Sequence, residues 1–141
     1  MKAYRIRRPQ KYDNLLNLLK DREHGVFSTF KSALIFAAAV GFKNKKRVSF
    51  SDTGEPIALS LFSEHQEQPF MLCLALTEFD DVAYLREEKF LEAMQVFEEY
   101  AAGGLEILDG SLDKAHFKES IESLLTDNGE FNLLDNIADV W

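Results

Sequence analysis

Seven cations in two short runs are the residues of this 141-residue chain best placed to do chemistry: Arg5, Arg7 and Arg8 in RIRR, and Lys43, Lys45, Lys46 and Arg47 in KNKKR. That chemistry is anion recognition. Arginine offers a planar fork that suits a phosphate or the edge of a guanine, and lysine offers a compact charge for phosphate oxygens. Between the runs, Ser28 and Thr29 open an apolar stretch with helical spacing. The free amides of a helix N-terminus, helped by its dipole, would add another seat for a phosphate.

Covalent and acid–base chemistry finds much less to work with. His24, His65 and His116 are scattered, and His65 has only loop neighbours, Glu64 and Glu67. There is no phosphate-cradling glycine loop, no HExxH pair and no nucleophile elbow. Asp80–Asp81 and Glu87–Glu88 read as solvated acidic surface rather than as a cation site. The single cysteine, Cys73, excludes an intrachain disulfide and any cysteine-cluster metal site. It sits in an apolar run as a buried free thiol, which fits a reducing compartment. No enzyme activity, metal or cofactor is expected. The charged opening MKAYRIRRPQ lacks the apolar run of a secretory signal, and no uncharged stretch reaches the length of a membrane span. The reading is a cytoplasmic, soluble protein with no membrane partner.

Charge is unevenly spread. Residues 1–47 hold twelve Lys/Arg against three Asp/Glu, a local charge of +9, while residues 48–141 carry −17, which gives the overall −8. Such polarity points to an anion-facing end and a separate acidic face. A plainer alternative stands beside it: the cations pair with the acidic half of their own chain, or simply complement a helix C-terminus.

The elements that must position these residues follow from periodicity. Tyr4 and Ile6 alternate with Ala3, Arg5 and Arg7, as in a short strand with one row facing a core. Tyr12, Leu15, Leu16 and Leu19 mark an amphipathic helix over about 10–21. Ser28 is the expected cap of a second helix, with Phe27 packing forward as a staple. That helix, apolar on two faces, contains the run Ala37–Ala39, which lets another backbone approach closely. SDTGEP at 51–56 is a turn. Ile57, Leu59 and Leu61 suit a strand or a short helix, and residues 70–76 a buried helix. A clear helix is expected over 87–102, with Phe90, Ala93, Met94, Phe97 and Ala101 inside and Glu88, Glu92, Glu98 and Glu99 mostly facing solvent. Gly103–Gly104 would end it, and 105–108 would pack back as an extended piece. A last helix capped by Asp113 and an amphipathic tail complete the chain.

The expected fold class is mainly α with minor β: a basic strand-helix-helix head over 1–50 and an acidic helical body over 51–141, either packed on it or forming a single domain with it. Strand, helix, helix is the order of a ribbon-helix-helix unit. In that arrangement two chains pair their strands as a homodimer, and one row of the ribbon, here Ala3, Arg5 and Arg7, enters a DNA groove. Arg8 and the Lys43, Lys45, Lys46 and Arg47 cluster would hold the backbone, with Ser28 and Thr29 at the amide end.

The combination of YRIRRPQKYDNLL, VFSTFKSALIFAAAVGFKNKKR, GEPI and VFEEYAAGGLEIL resembles the Dnd system-associated protein 4 family over roughly residues 4–112. These motifs are structural rather than catalytic. The resemblance implies an accessory role beside the DNA phosphorothioation machinery and its linked restriction in bacterial antiphage defence, with no defined enzymatic activity. Two functions then compete. One is a non-enzymatic, DNA-binding subunit of such a system. The other is an adaptor that never touches DNA and docks its acidic face on a larger defence protein.

Overall fold

A computed structural model describes residues 4–20, 27–111, 119, 120 and 123. The chain opens with strand β1 (Arg5–Ile6), followed by a single 3-10 turn and helix α1 (Asp13–Lys20). Helix α2 (Phe30–Lys43) comes next, then strand β2 (Ile57–Ala58), helix α3 (Glu67–Phe79) and the long helix α4 (Phe90–Ser111). Short 3-10 turns cover Leu59–Leu61, Val82–Leu85 and Glu87–Lys89. The protein is mainly α with minor β. Of the helix expected after Asp113 only residues 119, 120 and 123 are described, and they are helical; the tail lies outside the described residues.

The alternation read in β1 holds: Ile6 is buried, Tyr4 is half-buried, and Arg5 is exposed. Its ladder partner is within the chain. Arg5 lies opposite Ala58 and Ile6 opposite Ile57 in an antiparallel pair with β2, extended by a bridge between Pro9 and Thr53. The backbone amide of Arg7 donates to a Glu98 carboxylate oxygen at 2.6 Å. The strand is thus held by contacts inside one molecule.

Packing of α2 on α4 forms the centre of the structure, with α1 and α3 against its sides. The two helices approach backbone to backbone. A methyl group on Gly104 would lie 1.7 Å from the Ala37 carbonyl oxygen, and one on Gly41 would lie 2.1 Å from that of Tyr100. Gly103 would strike the Lys46 carbonyl oxygen at 2.0 Å. This overturns the expectation that Gly103–Gly104 end the helix: α4 runs on to Ser111, and 105–108 is helical. These glycines remove side-chain bulk where α2 and the segment after it press on α4, at the usual helix-propensity cost of about 1 kcal/mol each. The alanines of α2 supply the other half of the close approach, as their spacing suggested.

Around the crossing, Leu16, Leu19, Leu34, Met71, Leu74, Phe97 and Leu105 are fully buried, each contributing about 1.5–3 kcal/mol through loss of apolar surface from water. Cys73, expected to be buried, is only half-buried on α3; it has no disulfide partner, and burial still pushes its thiol pKa up, which works against nucleophilicity.

Candidate nucleic-acid interface

The cap of α2 is Thr29 rather than Ser28: Thr29 Oγ1 accepts from the Ser32 amide at 3.2 Å, and Ser28 is exposed one residue before. Phe27 packs forward on Phe36, ring centroids 5.1 Å apart, one turn beyond the expected staple. Ser28 and Thr29 line an open cleft of about 510 Å³ with Lys20, Phe30, Lys31 and Leu61. The Arg8 guanidinium lies over the Phe30 ring at 4.3 Å and donates to the Glu55 carbonyl oxygen. Lys20 lies over the same ring at 4.2 Å. Lys31 is drawn away to Glu67 and to the Leu61 carbonyl oxygen.

At the other end, α2 closes in a Schellman turn. The Lys46 amide donates to the Gly41 carbonyl oxygen at 2.8 Å and the Lys45 amide to that of Phe42 at 3.2 Å. The turn needs a left-handed residue, and Lys45 fills it with φ 53°. Glycine is the usual occupant, because any other side chain costs about 1 kcal/mol there. The geometry turns Lys45 out into solvent, where no described carboxylate pairs with it.

From this turn the segment 46–50 runs back along α4. The Val48 amide donates to the Glu99 carbonyl oxygen at 3.0 Å. Arg47 reaches two carboxylates, Glu99 at 2.7 Å through Nε and Glu78 at 3.3 Å through a terminal nitrogen. Burial works against the charge on Arg47, but the hydrogen bonds and fields of Glu99 and Glu78 outweigh it and raise its pKa above the usual value. The Tyr100 hydroxyl donates to the other oxygen of Glu78. Burial and that carboxylate together hold the phenol protonated far above its ordinary pKa.

Arg7 forms the matching pair. Its Nε and a terminal nitrogen each lie 3.0 Å from Glu98 Oε1, and its guanidinium covers the Phe50 ring at 4.8 Å. Glu98 and Glu99 are only 5% and 7% exposed. The expectation that they face solvent is therefore corrected. From Ala93 to Leu105 only Gln95 is exposed, so this part of α4 has almost no outer face and its two carboxylates must go inside. Burial raises the pKa of Glu98, while Arg7 opposes that shift. Two of the seven cations are thereby explained by the two buried carboxylates, as the intrachain alternative anticipated.

The nine residues read from sequence fall into three places. Arg5 and Arg7 border a cleft with Leu91 and Gln95 on α4. Arg8, Ser28 and Thr29 surround the start of α2. Lys43, Lys45 and Arg47 line one cleft of about 540 Å³ with Phe42, Thr77, Glu78 and Tyr100, while Lys46 leans toward Glu106 at 3.6 Å. The two ends of α2 are about 20 Å apart. Sequence reasoning did not find Thr77, Glu78 or Tyr100 for the last cleft. They arrive from α3 and α4, and nothing local in the KNKKR run announces them.

Fold and site define a small, mainly helical protein whose recognisable chemistry is cationic surface carried by the two ends of one buried helix. Among the described residues, no group of three His, Cys, Asp or Glu could hold a metal ion, and no helix is long and apolar enough to cross a membrane. The chain belongs to the DNA sulphur modification system-associated protein 4 family, whose model matches residues 5–135. No curated protein and no solved structure matches it.

Proposed function

We propose that this protein is a non-enzymatic accessory subunit of a DNA phosphorothioation-linked antiphage restriction system, and that it holds the DNA backbone in the cleft at the C-terminal end of α2. The observation that carries the proposal is Lys45. It stands exposed in a left-handed position that glycine would fill more easily, beside Lys43 and Arg47 in one open cleft. A strained residue that supplies a charge is more readily explained by what the charge binds than by folding. Thr77 and Tyr100 add hydroxyls to the same wall.

The proposal separates stability from binding. Lys45→Gly is expected to raise the unfolding free energy by about 0.5–1 kcal/mol and to weaken duplex binding. Lys43→Gln with Lys45→Gln should weaken binding on all sequences alike and flatten the salt dependence by about two counterions. Fluorescence anisotropy with a labelled duplex across a salt series reads both effects. Failure of the folded wild type to bind any duplex at low salt would sink the proposal.

Glu78 supplies a test of opposite sign. Its carboxylate occupies the place where a phosphate would meet Arg47, and this half-exposed pair is weak. Glu78→Gln, which can still accept from Tyr100, is expected to tighten duplex binding by about two- to fivefold, the range of a pair worth up to 1 kcal/mol. Unchanged or weaker binding by this variant would place the phosphate elsewhere.

The competing reading, an adaptor without DNA contact, loses Glu98 and Glu99 as its docking face, since both are buried.

A further inference from the structure

We propose that the ridge from Phe79 to Glu92 is a docking surface for a basic amphipathic helix of a larger protein. Four of the five large apolar side chains exposed among the described residues fall within this ridge: Phe79, Val82, Leu85 and Leu91. Val82, Leu85 and Leu91 are 71%, 52% and 65% exposed, which burial in the fold does not explain. Val82 and Leu85 bound one 3-10 turn, whose three-residue period stacks them on one side. Leu85 opens onto a cleft of about 490 Å³ whose walls are Tyr4, Phe90 and Glu87. The Tyr4 ring, 4.5 Å from that of Phe90, continues the apolar floor toward Leu91. The cleft has room for a large apolar side chain of a partner.

Charge selects the partner. Residues 80–92 carry Asp80, Asp81, Glu87, Glu88 and Glu92 against Arg86 and Lys89, a local charge of −3; at the Leu91 end Arg5 also borders the floor, while Arg7 there is held by Glu98. Both cations already lean on acids of the ridge: Arg86 lies 3.9 Å from Glu88 and Lys89 lies 3.6 Å from Glu92. An apolar centre with an acidic rim complements a helix with leucine-like anchors on one face and lysine or arginine beside them. The chain's own residues 124–141 are a poorer match, since they carry four Asp/Glu and no Lys/Arg. A second copy docking ridge to ridge would set acids against acids. The same field repels nucleic acid over 80–92, and the ridge meets the cleft at the end of α2 only at Phe79, whose ring lies 5.7 Å from the Arg47 guanidinium.

The probe is a labelled leucine–lysine amphipathic helix of about 18 residues, five turns, titrated against the full chain by anisotropy. A leucine–glutamate peptide of equal length is run beside it. Expected is binding of the lysine peptide, weakened about tenfold or more by Leu85→Ser with Leu91→Ser, and again by Glu87→Lys with Glu88→Lys. All four positions are exposed, so the variants keep the fold, which circular dichroism verifies. Glu64→Lys, at an exposed position outside the ridge, should change little. Three results overturn the proposal: affinity untouched by the ridge variants, equal binding of the glutamate peptide, or a wild-type dimer in sedimentation velocity that the serine pair abolishes.

Discussion

Gly104→Ala is expected to destabilise the protein by about 3 kcal/mol or more, a large loss for the addition of one methyl group. The methyl would lie 1.7 Å from the Ala37 carbonyl oxygen, and a backbone atom cannot swing aside as a side chain can. Helix α4 would have to move off α2, reopening the packed centre of the fold. Gly41→Ala, at 2.1 Å from the Tyr100 carbonyl oxygen, should act alike. Gly110 is the control: it lies in the same helix, but a methyl there meets nothing within 4 Å. Gly110→Ala should therefore be neutral or stabilising, by up to about 0.5–1 kcal/mol. Urea denaturation of the three variants measures both signs in one fold. A Gly104→Ala protein as stable as wild type would mean that the helices do not cross at this distance.

Arg7→Ala carries the second large effect, a loss of about 3 kcal/mol near neutral pH. The substitution leaves the Glu98 carboxylate buried without its cation. The deficit should depend on pH, with a sign fixed by the direction of the Glu98 shift. Burial raises its folded-state pKa, so the folded protein holds this proton more tightly than the unfolded chain does. The stability that proton contributes is fully present below the unfolded pKa, about 4.5, and is lost as pH rises through the folded value. Arg7 keeps the folded value down. Without it the value climbs further, and deprotonation at neutral pH costs more. The gap between Arg7→Ala and wild type is thus expected to be smallest below about pH 4.5 and to widen toward pH 7. Parallel denaturation series at the two ends of that range test it. A gap of equal size at both would show that Arg7 acts by packing on Phe50 rather than by charge.

Local pattern made most of the elements legible. The two-residue alternation of Tyr4 to Arg7 gave the strand and its buried row, helical spacing gave α1, α2 and the start of α4, and the apolar run 70–76 gave the middle of α3. The misreadings share one cause: they depend on contacts distant in sequence. Gly103–Gly104 looks like a helix stop because glycine usually ends helices, and only the partner helix shows why it does not here. A signal was available, since a helix as rich in alanine as α2 calls for small residues opposite, and Gly103–Gly104 follow Ala101 and Ala102. Glu98 and Glu99 look solvent-facing by type. Yet Phe97, Tyr100 and the small residues after them leave that part of α4 no outer face. The β2 partner of β1 could not be read at all, because a two-residue pairing more than fifty positions apart leaves no local trace.

The basic half of the chain therefore divides by residue type as well as by place. Arg7 and Arg47, whose forked heads suit carboxylates, neutralise the acids that α4 carries inside. Lys45, turned outward at the end of α2, is the cation on which the proposed DNA contact chiefly rests. Amide chemical-shift mapping of the nitrogen-15-labelled protein, titrated with a duplex of about 16 base pairs at low salt, tests this division most directly. Contact through the cleft predicts shifts centred on residues 42–47 and on Thr77 and Glu78, with the 80–92 ridge unmoved. Shifts centred on that ridge, or none at all with the protein folded, would contradict it.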